Sequence, residues 1–558
     1  MRIAVVADGE GGGWLRELGR EPGPVRRVPD LAAAISETEH TGPEPPRWVW
    51  SGWEDLYPDL VRAGVRVSRC HDVALTEALL LGHEARHGEP CSLGAAWARL
   101  HGLPVPDDPV RRAGEGTHAQ PALFEADRST LPPGTDRITA VAEVHEDQQR
   151  RIAALDGAER MRLLVAVESA GGLAAAEMSH DGLPWRPDVH DQVLTETLGP
   201  RPPSGQHPRE LADLAARISE AFGHDLNPDS PTQVLKALSR AGHPVDSTRS
   251  WVLARVHHPA APLLLRYKEL SRLHSANGWA WLHTWVRTRT GPNGQLLGRF
   301  HPDYVVGGVV SGRWATRGGG ALQVPKAVRR AVRADPGWVL VRADAGQLEP
   351  RILAAVSGDR ALAEAAAEDD LYAGLAEHVA GDRERAKIGV LSALYGQTSG
   401  DAAPLLAMMR RSYPRALEYV DAAARTGESG GTVRSWLGRT SPVPRGWDAA
   451  EPDGDRRRRA QGRFTRNFVV QAGAAEWALV LLASLRQRLI EAAGPLPEGA
   501  GAVFFMHDEV VLHVPRELAD TAVRAVSEAE VRTRRILFGQ TPVRFPLAIT
   551  VTDEHSHL

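Results

Sequence analysis

Cysteine and lysine are the scarce residues of this 558-residue chain. Cys70 and Cys91 are its only cysteines, too few for a zinc centre or a disulfide framework, as expected of a protein in a reducing cytosol. Charge of one sign is also lacking: 66 basic against 70 acidic residues leave a net charge of −4. The chain as a whole therefore does not attract nucleic acid, and any such binding must use local basic patches. No apolar run reaches membrane-spanning length; Trp477 to Leu485 comes nearest and reads as a buried helix. The apolar run within Met1 to Val6 is too short for a signal peptide. These absences leave a cytoplasmic enzyme or binding protein. Hydrophobic content of 42% and charged content of 24% are ordinary for a globular chain, and the length calls for roughly two to four domains.

The four lysines, Lys236, Lys268, Lys326 and Lys387, stand against an almost wholly arginine complement. With abundant Ala, Gly and Pro, this points to a genome of high GC content in which Lys has drifted to Arg. A lysine retained in that background is a candidate for chemistry that Arg cannot perform, since only the ammonium gives up its proton readily.

Residues 1–155 read as a small α/β unit, with a strand at Arg2 to Ala7 and helices near Trp53 to Ala63 and Ala74 to Gly82. Gly11, Gly12 and Gly13 lack the spacing of a dinucleotide fingerprint and read as a flexible turn. Residues 107–136, rich in Pro, Gly and Asp, form a loop or linker. The pattern from about 150 to 290 is helical, broken at Gly199 to Pro203 and at Asn227 to Pro231. Strand patterns return at Tyr304 to Val310, Trp338 to Arg342, Ala502 to Val514 and Phe545 to Thr552. The run Arg456 to Arg459 reads as a solvated loop face, with a phosphate-contacting patch as the alternative.

Three constellations carry chemistry. In the first, apolar Val503 to Met506 and Val510 to Val514 flank His507, Asp508 and Glu509, the pattern of a hairpin that lifts two carboxylates to the end of a sheet. Upstream, the buried-strand pattern Val339 to Ala343 delivers Asp344 where the chain turns, and Pro350 suits the first position of a helix over Arg351 to Val356. In the second, Arg383, Lys387, Leu391 and Tyr395 follow at four-residue steps, with Gly396 as a stop. Such steps make one slowly turning stripe ~18 Å long on a helix. Two cations at one end and an aromatic at the other can grip a triphosphate and meet a base; alone, the same stripe also reads as an amphipathic helix with a basic rim. The third is Arg463, Asn467 and Gln471 on one helix face, donors suited to phosphates and minor-groove base edges. Arg313, in Ser311-Gly312-Arg313-Trp314, adds a further cation.

Together and in this order, these parts resemble the family A DNA polymerases, the DNA polymerase I type. Asp344-Ala345-Gly346-Gln347-Leu348-Glu349-Pro350-Arg351 resembles the first carboxylate motif, usually Asp-Tyr-Ser-Gln-Ile-Glu-Leu-Arg. The Arg383-to-Gly396 stripe resembles the nucleotide-binding fingers helix, His507-Asp508-Glu509 the second carboxylate motif, and Arg463-to-Gln471 the intervening palm helix. Thr432 to Pro444 is similar to a fingers segment, Leu226 to Leu238 to the thumb, and His301 to Thr316 to the start of the palm. The resemblance covers about residues 150 to 558.

The resemblance implies a mixed α/β right-hand fold, with a thumb at about 156–295, a palm at about 296–360 and 463–558, and fingers at about 361–462. It implies a DNA-directed DNA polymerase that uses two Mg²⁺ ions, replaceable by Mn²⁺, to join dNTPs to a primer 3′-hydroxyl. Asp344 and Asp508 would bridge the ions, with Ala345 in the same shell and Glu509 in support of the metal or the primer end. Two carboxylates about 4 Å apart repel by ~4 kcal/mol at an effective dielectric of 20, so such a site calls for cations. Arg383 and Lys387 would bind the β and γ phosphates, and Lys387 would protonate the departing pyrophosphate. Glu349 would exclude a ribose 2′-hydroxyl, with Gln347, Leu391 and Tyr395 also at the nucleotide. Arg313, Arg463, Asn467, Gln471 and His507 would contact DNA. Leu391 stands where the family usually has an aromatic, which implies altered discrimination against dideoxynucleotides. Ala345, Gly346 and Pro350 depart as well, which touches nucleotide selection rather than the metal pair.

By position and size, residues 1–155 suggest the 3′–5′ proofreading domain of the family, an RNase H-like unit. Asp8 and Glu10 have the spacing of its first acid motif, and Asp55 aligns with the second. The third is broken: Val141 and His145 stand in place of Tyr and Asp, and Asp147 is off register. The expectation is an inactive remnant, with residual exonuclease as the alternative, and with no room for a 5′-nuclease. The expected partners are primer-template DNA and dNTPs, with no membrane and no second copy of the chain. Two rivals remain, a single-subunit RNA polymerase, against which Glu349 argues, and an inactive DNA-binding protein, against which the joint presence of Asp344, Lys387 and Asp508 argues.

Overall fold

Consecutive β-branched and small residues make Arg2–Ala7 (β1) a central strand, with Ile3 to Val6 all buried. The computed structural model describes the chain except residues 111–129, 204, 291–293, 295, 377–380, 397–401, 445–453, 495 and 555–558. The middle of the linker expected at 107–136 lies outside the described residues. The chain divides into two units. The first holds Met1–Asp181, Asp303–Gly318 and Val341–Val551; the second holds Gly182–Pro302, Gly319–Leu340 and the chain from Thr552 on.

In the first unit, β1 pairs antiparallel with Gly13–Leu18 (β2), which pairs with Arg26–Val28 (β3). On its other side β1 runs parallel to Arg47–Trp50 (β4), itself parallel to Arg69–Asp72 (β5). The order is therefore β3-β2-β1-β4-β5, with helices Leu31–Thr41 and Trp53–Arg62 making the crossovers to the parallel strands. The glycine turn is organised rather than loose: Asp8 Oδ1 accepts the amides of Glu10 (2.9 Å) and Gly12 (3.0 Å). Helix Ala158–Asp181 packs close to this sheet at Gly172, where a Cβ would meet the Trp53 ring at 2.6 Å.

The second unit is largely helical around the buried rings of Trp185, Trp281 and Phe300. A small antiparallel sheet sits among its helices, Leu183–Trp185 (β6), Val286–Thr290 (β7) and Leu296–Phe300 (β8), in the order β6-β8-β7. The helical pattern of 150–290 hides β6 and β7 because their short runs offer too few residues to show a period of two.

The strand expected over Tyr304 to Val310 is cut short. Tyr304–Val305 (β9) pairs only with Ala315–Thr316 (β10), because the chain turns between them, with Gly307 and Gly312 at positive φ. Trp338–Ala345 (β11), Gly501–Met506 (β12), Glu509–Pro515 (β13) and Leu547–Thr552 (β14) make a four-stranded sheet in the order β12-β13-β11-β14. Every residue of β13 is buried, as its apolar run predicts. Helix Leu348–Val356 begins two residues before Pro350, which occupies the third helical position, where its missing N–H is still harmless.

Helix Gly454–Ala493 is 40 residues long and takes in the Arg456-to-Arg459 run, expected as a loop. It is also apolar enough over 18 residues to cross a membrane, contrary to the expectation from Trp477 to Leu485 alone, yet 89% of that window is buried in the protein. Its Arg486 guanidinium reaches the N-terminal sheet region. Nε donates to both Glu177 oxygens (3.0 and 2.9 Å), while the terminal nitrogens reach Ser68 O at 3.2 Å and Tyr57 Oη at 3.2 Å. Arg486 and Glu177 are both less than a tenth exposed. Removing one partner of such a buried pair costs about 3–5 kcal/mol. We expect Arg486→Met to lower the unfolding free energy from a urea titration by that order, with a lower midpoint, and Glu177→Gln in the same chain to recover part of the loss. An unshifted midpoint in the single variant would show the pair to be dispensable.

Candidate active site

The pairing of Met506 with Glu509 leaves His507 and Asp508 as a two-residue turn, the hairpin that the flanking apolar runs predict. His507 adopts φ +59°, a left-handed backbone that a side chain with a Cβ resists. The turn carries Asp508 to the sheet end, where β11, the neighbour of β13, ends with Asp344 and Ala345. The Ala345 amide donates to Asp508 O at 3.0 Å and pins the two strand ends together. Both carboxyls pick up protons more readily than usual. Burial, then the nearby Asp344 and Glu509 charges, push Asp508 up to about 6. Burial also raises Asp344; Arg342 counteracts it and Glu509 adds to it.

Arg342 was not expected in the site. Two residues before Asp344 on a strand, it shares that acid's face. Its Nε donates to Glu509 Oε1 at 2.7 Å and a terminal nitrogen to Asp344 Oδ2 at 3.2 Å. The Glu509 side chain is 4% exposed, so this acid has its cation partner inside the protein.

Between β11 and its helix, Gln347 takes φ +60°. It was expected at the nucleotide, but its side chain is engaged locally. Nε2 donates to Asp370 Oδ1 at 2.7 Å and Oε1 accepts the Leu371 amide at 2.9 Å. The fully buried Arg351 guanidinium fixes the same region through the carbonyls of Ala366 (2.8 Å), Arg544 (2.8 Å), Glu368 (3.0 Å) and Asp369 (2.6 Å). Glu349, on the first helical turn, accepts hydrogen bonds from Arg313 and from Tyr395 Oη, the latter at 2.7 Å. One carboxylate thus joins two other expected residues, Arg313 and Tyr395. Arg313 is placed by its neighbour Trp314, whose ring packs edge-on between Tyr304 and Phe505, each 5.1 Å away. His507 loses its proton more easily than usual, through burial and then the charge of Arg313.

Helix Arg383–Tyr395 is capped by Asp382, whose side chain accepts the Arg385 amide, and stops at Gly396 with φ +67°. Ala386, Gly389, Val390, Ala393 and Leu394 are buried, which leaves Arg383, Lys387, Leu391 and Tyr395 as the open stripe. Arg383 Nε donates to Asp370 Oδ2 at 2.7 Å, and Lys387 Nζ lies 3.8 Å from Glu384. Asp370 carried no signal in the sequence, since it is one acid among several in Glu368 to Asp370. On helix Gly454–Ala493, Arg463 is exposed and Asn467 and Gln471 half-buried, so the expected face is open. Buried Arg466 beside them donates to Ala393 O at 2.8 Å and pairs with Asp421, joining this helix to the stripe's helix.

The N-terminal acids do not assemble. Asp8 holds its own turn, Glu10 is exposed, and Asp55 Oδ2 accepts from Ser51 Oγ at 3.1 Å. Val141 is core, and His145 packs on the His71 ring at 4.8 Å, its pKa pushed down to about 3 by burial and then by His71. Among the described residues, no three His, Cys, Asp or Glu side chains gather in a metal-holding group anywhere in the chain.

Comparison with known proteins agrees with this geometry. The family model described as DNA polymerase family A matches residues 203–552. The thermostable DNA polymerase I of Thermus aquaticus is 26% identical over 381 residues, 61% of this chain and 43% of its own length. DNA polymerase I of Chloroflexus aurantiacus is 26% identical over 442 residues, 69% of this chain and 44% of its own. This chain thus spans less than half the length of the curated relatives it matches. A solved structure, the POL domain of Pol1 from M. smegmatis in complex with DNA primer-template and dNTP, shares the fold. Its TM-score is 0.71 at 18% identity, and the match covers 99% of this chain and 95% of that one.

The raised Asp508 sets a stability signature. Its pKa moves from 3.8 to about 6 on folding, so its contribution is fully present below about 4 and is lost as pH rises through 6. Without divalent cations, Asp508→Asn should be more stable than the wild type at pH 7.5 by on the order of 1–2 kcal/mol, after discount for solvent screening. The gap should narrow by pH 4.5 and close only below about pH 4. Identical pH profiles of thermal unfolding for the two proteins would contradict the assigned burial.

Proposed function

The chain belongs to DNA polymerase family A, and from that premise we propose that it is a template-directed DNA polymerase that adds dNTPs to a primer 3′-hydroxyl, in replication or repair. The observation that carries this reading is the pairing of Asp344 with Asp508 at one sheet end, with Glu349, on the helix after Asp344, hydrogen-bonded to Tyr395 on the cationic stripe. Two hard carboxylates under mutual repulsion suit Mg²⁺, which takes few protein ligands and completes its shell with water and phosphate. Ala345 lies at the same strand end. When bound, two such ions supply charge neutralisation and an acidified primer hydroxyl.

The protein's own groups do the rest. Arg383 exchanges Asp370 for a triphosphate oxygen, and Lys387, whose ammonium lies 3.8 Å from Glu384, binds beside it and donates a proton to the leaving pyrophosphate. Glu349, steadied by Arg313 and Tyr395, closes the space a ribose 2′-hydroxyl would need. Arg313, Arg463, Asn467, Gln471 and His507 hold primer-template DNA. In this reading residues 296–360 and 463–558 form the palm, 361–462 the fingers and 156–295 the thumb. Residues 1–155 are an exonuclease-like domain without nuclease activity, supported by the Asp8 turn and by neutral His145 in place of an acid.

Primer extension tests the reading. Wild type should extend with dNTPs in Mg²⁺ and far less with NTPs, Asp344→Ala should not extend, and a mismatched 3′ end should not be trimmed. Extension by Asp344→Ala would end the assignment, and Mg²⁺-dependent trimming lost in Asp55→Ala would overturn the view of the N-terminal domain. Leu391 generates a second expectation. A ring at this point of the stripe would pack beside the incoming sugar, so Leu391→Phe should change the dideoxy-to-deoxy incorporation ratio by roughly tenfold. Equal ratios in both proteins would remove Leu391 from sugar selection.

A further inference from the structure

Every acid in a two-carboxylate site needs a counter-charge, and here one such charge is covalently part of the protein. Arg342 and Asp344 lie on one face of β11, and the guanidinium is 15% exposed, so it is held in place rather than waving in solvent. One nitrogen takes Glu509 at 2.7 Å and another takes Asp344 at 3.2 Å. Glu509 in turn is fixed by strand pairing opposite Met506 and is almost wholly buried. The fork geometry of a guanidinium suits this bridging of two acids.

We propose that Arg342 is a positioning residue that sets the divalent-cation demand of the Asp344–Asp508 pair, by holding Glu509 away from the metals and competing with them for Asp344. The inference rests on the polymerase reading and deepens it. A fixed positive charge beside Asp344 repels a divalent cation twice as strongly as a monovalent one, so it weakens metal binding. The same charge steadies the acids before any cation arrives. The balance is a site that binds metal weakly alone and depends on the additional phosphates of an incoming nucleotide.

Direct metal binding tests this without turnover. The full chain, free of DNA and nucleotide, is titrated with Mn²⁺ and the free ion followed by electron paramagnetic resonance. Arg342→Gln keeps a hydrogen-bonding group and loses the charge; it should bind Mn²⁺ about tenfold more tightly, and Arg342→Lys should stay near the wild type. Glu509→Gln should weaken binding, since Arg342 then grips Asp344 alone. The double variant should return at least to the wild-type affinity, whereas a Glu509 that itself ligates the metal would leave it as weak as Glu509→Gln. Unchanged or weaker binding in folded Arg342→Gln overturns the proposal, and should that variant not fold, a double variant as weak as Glu509→Gln does so. Asp344→Asn separates the two levels. If it keeps wild-type Mn²⁺ binding the polymerase site itself is misassigned, and if it loses binding while Arg342→Gln gains none, only the role of Arg342 falls.

Discussion

Two carboxylates forced together at the end of one sheet are the constraint around which this protein is built. Asp344 and Asp508 come from different strands, and their approach is fixed by backbone, through the Ala345 amide and the sheet order β12-β13-β11. Neither strand can retreat, because β13 is buried at every position and β11 lies between two neighbours. The strain of delivering both acids shows in the backbone. Four non-glycine residues have positive φ among the described residues, and two of them, Gln347 and His507, stand beside these acids. Each such conformation costs roughly 1–2 kcal/mol. Arg342 and Arg351 offset the cost from either side, the first by charge and the second by fixing the turn through backbone carbonyls.

Around that fixed centre the cations of the Arg383-to-Tyr395 stripe are held loosely. Arg383 and Lys387 are each nearly half exposed, and exposed ion pairs are worth about 0–1 kcal/mol. Their present partners, Asp370 and Glu384, are therefore easily exchanged. The contrast with Arg351, Arg439 and Arg466, which are buried and tied to carbonyls or to buried acids, is physical rather than compositional. Arginine does both jobs in this chain; burial decides which one.

The same distinction explains what could be read from the sequence. Hairpin and stripe were legible because periodicity and alternation depend on local geometry alone. Asp344 could be placed at a strand end for the same reason. The Glu509 partner of Arg342, the Asp370 partner of Gln347 and the carbonyl partners of Arg351 were not legible, since each is a contact made by tertiary packing. Helix Leu348–Val356 starts earlier than the proline rule indicates because Pro is harmless anywhere in a first turn, not at one position only. The glycine cluster after β1 hid an ordered turn because its order comes from the Asp8 carboxylate, which holds the turn that the glycines make room for.

The N-terminal sheet is tied to the segments around the site. Its helix Trp53–Arg62 carries Asp55, and the preceding residue, Glu54, pairs with Arg317, which also reaches Asp303 at 3.3 Å. Arg317 follows Arg313 by four residues, in the short segment that also packs Trp314 against β12. Arg486 makes a second junction, and its buried pair with Glu177 costs far more to break than to keep. The domain is thus fastened to the segment that presents Arg313 and to the helix that presents Arg463, Asn467 and Gln471. Through these fastenings the sheet is part of the scaffold that holds both segments in place.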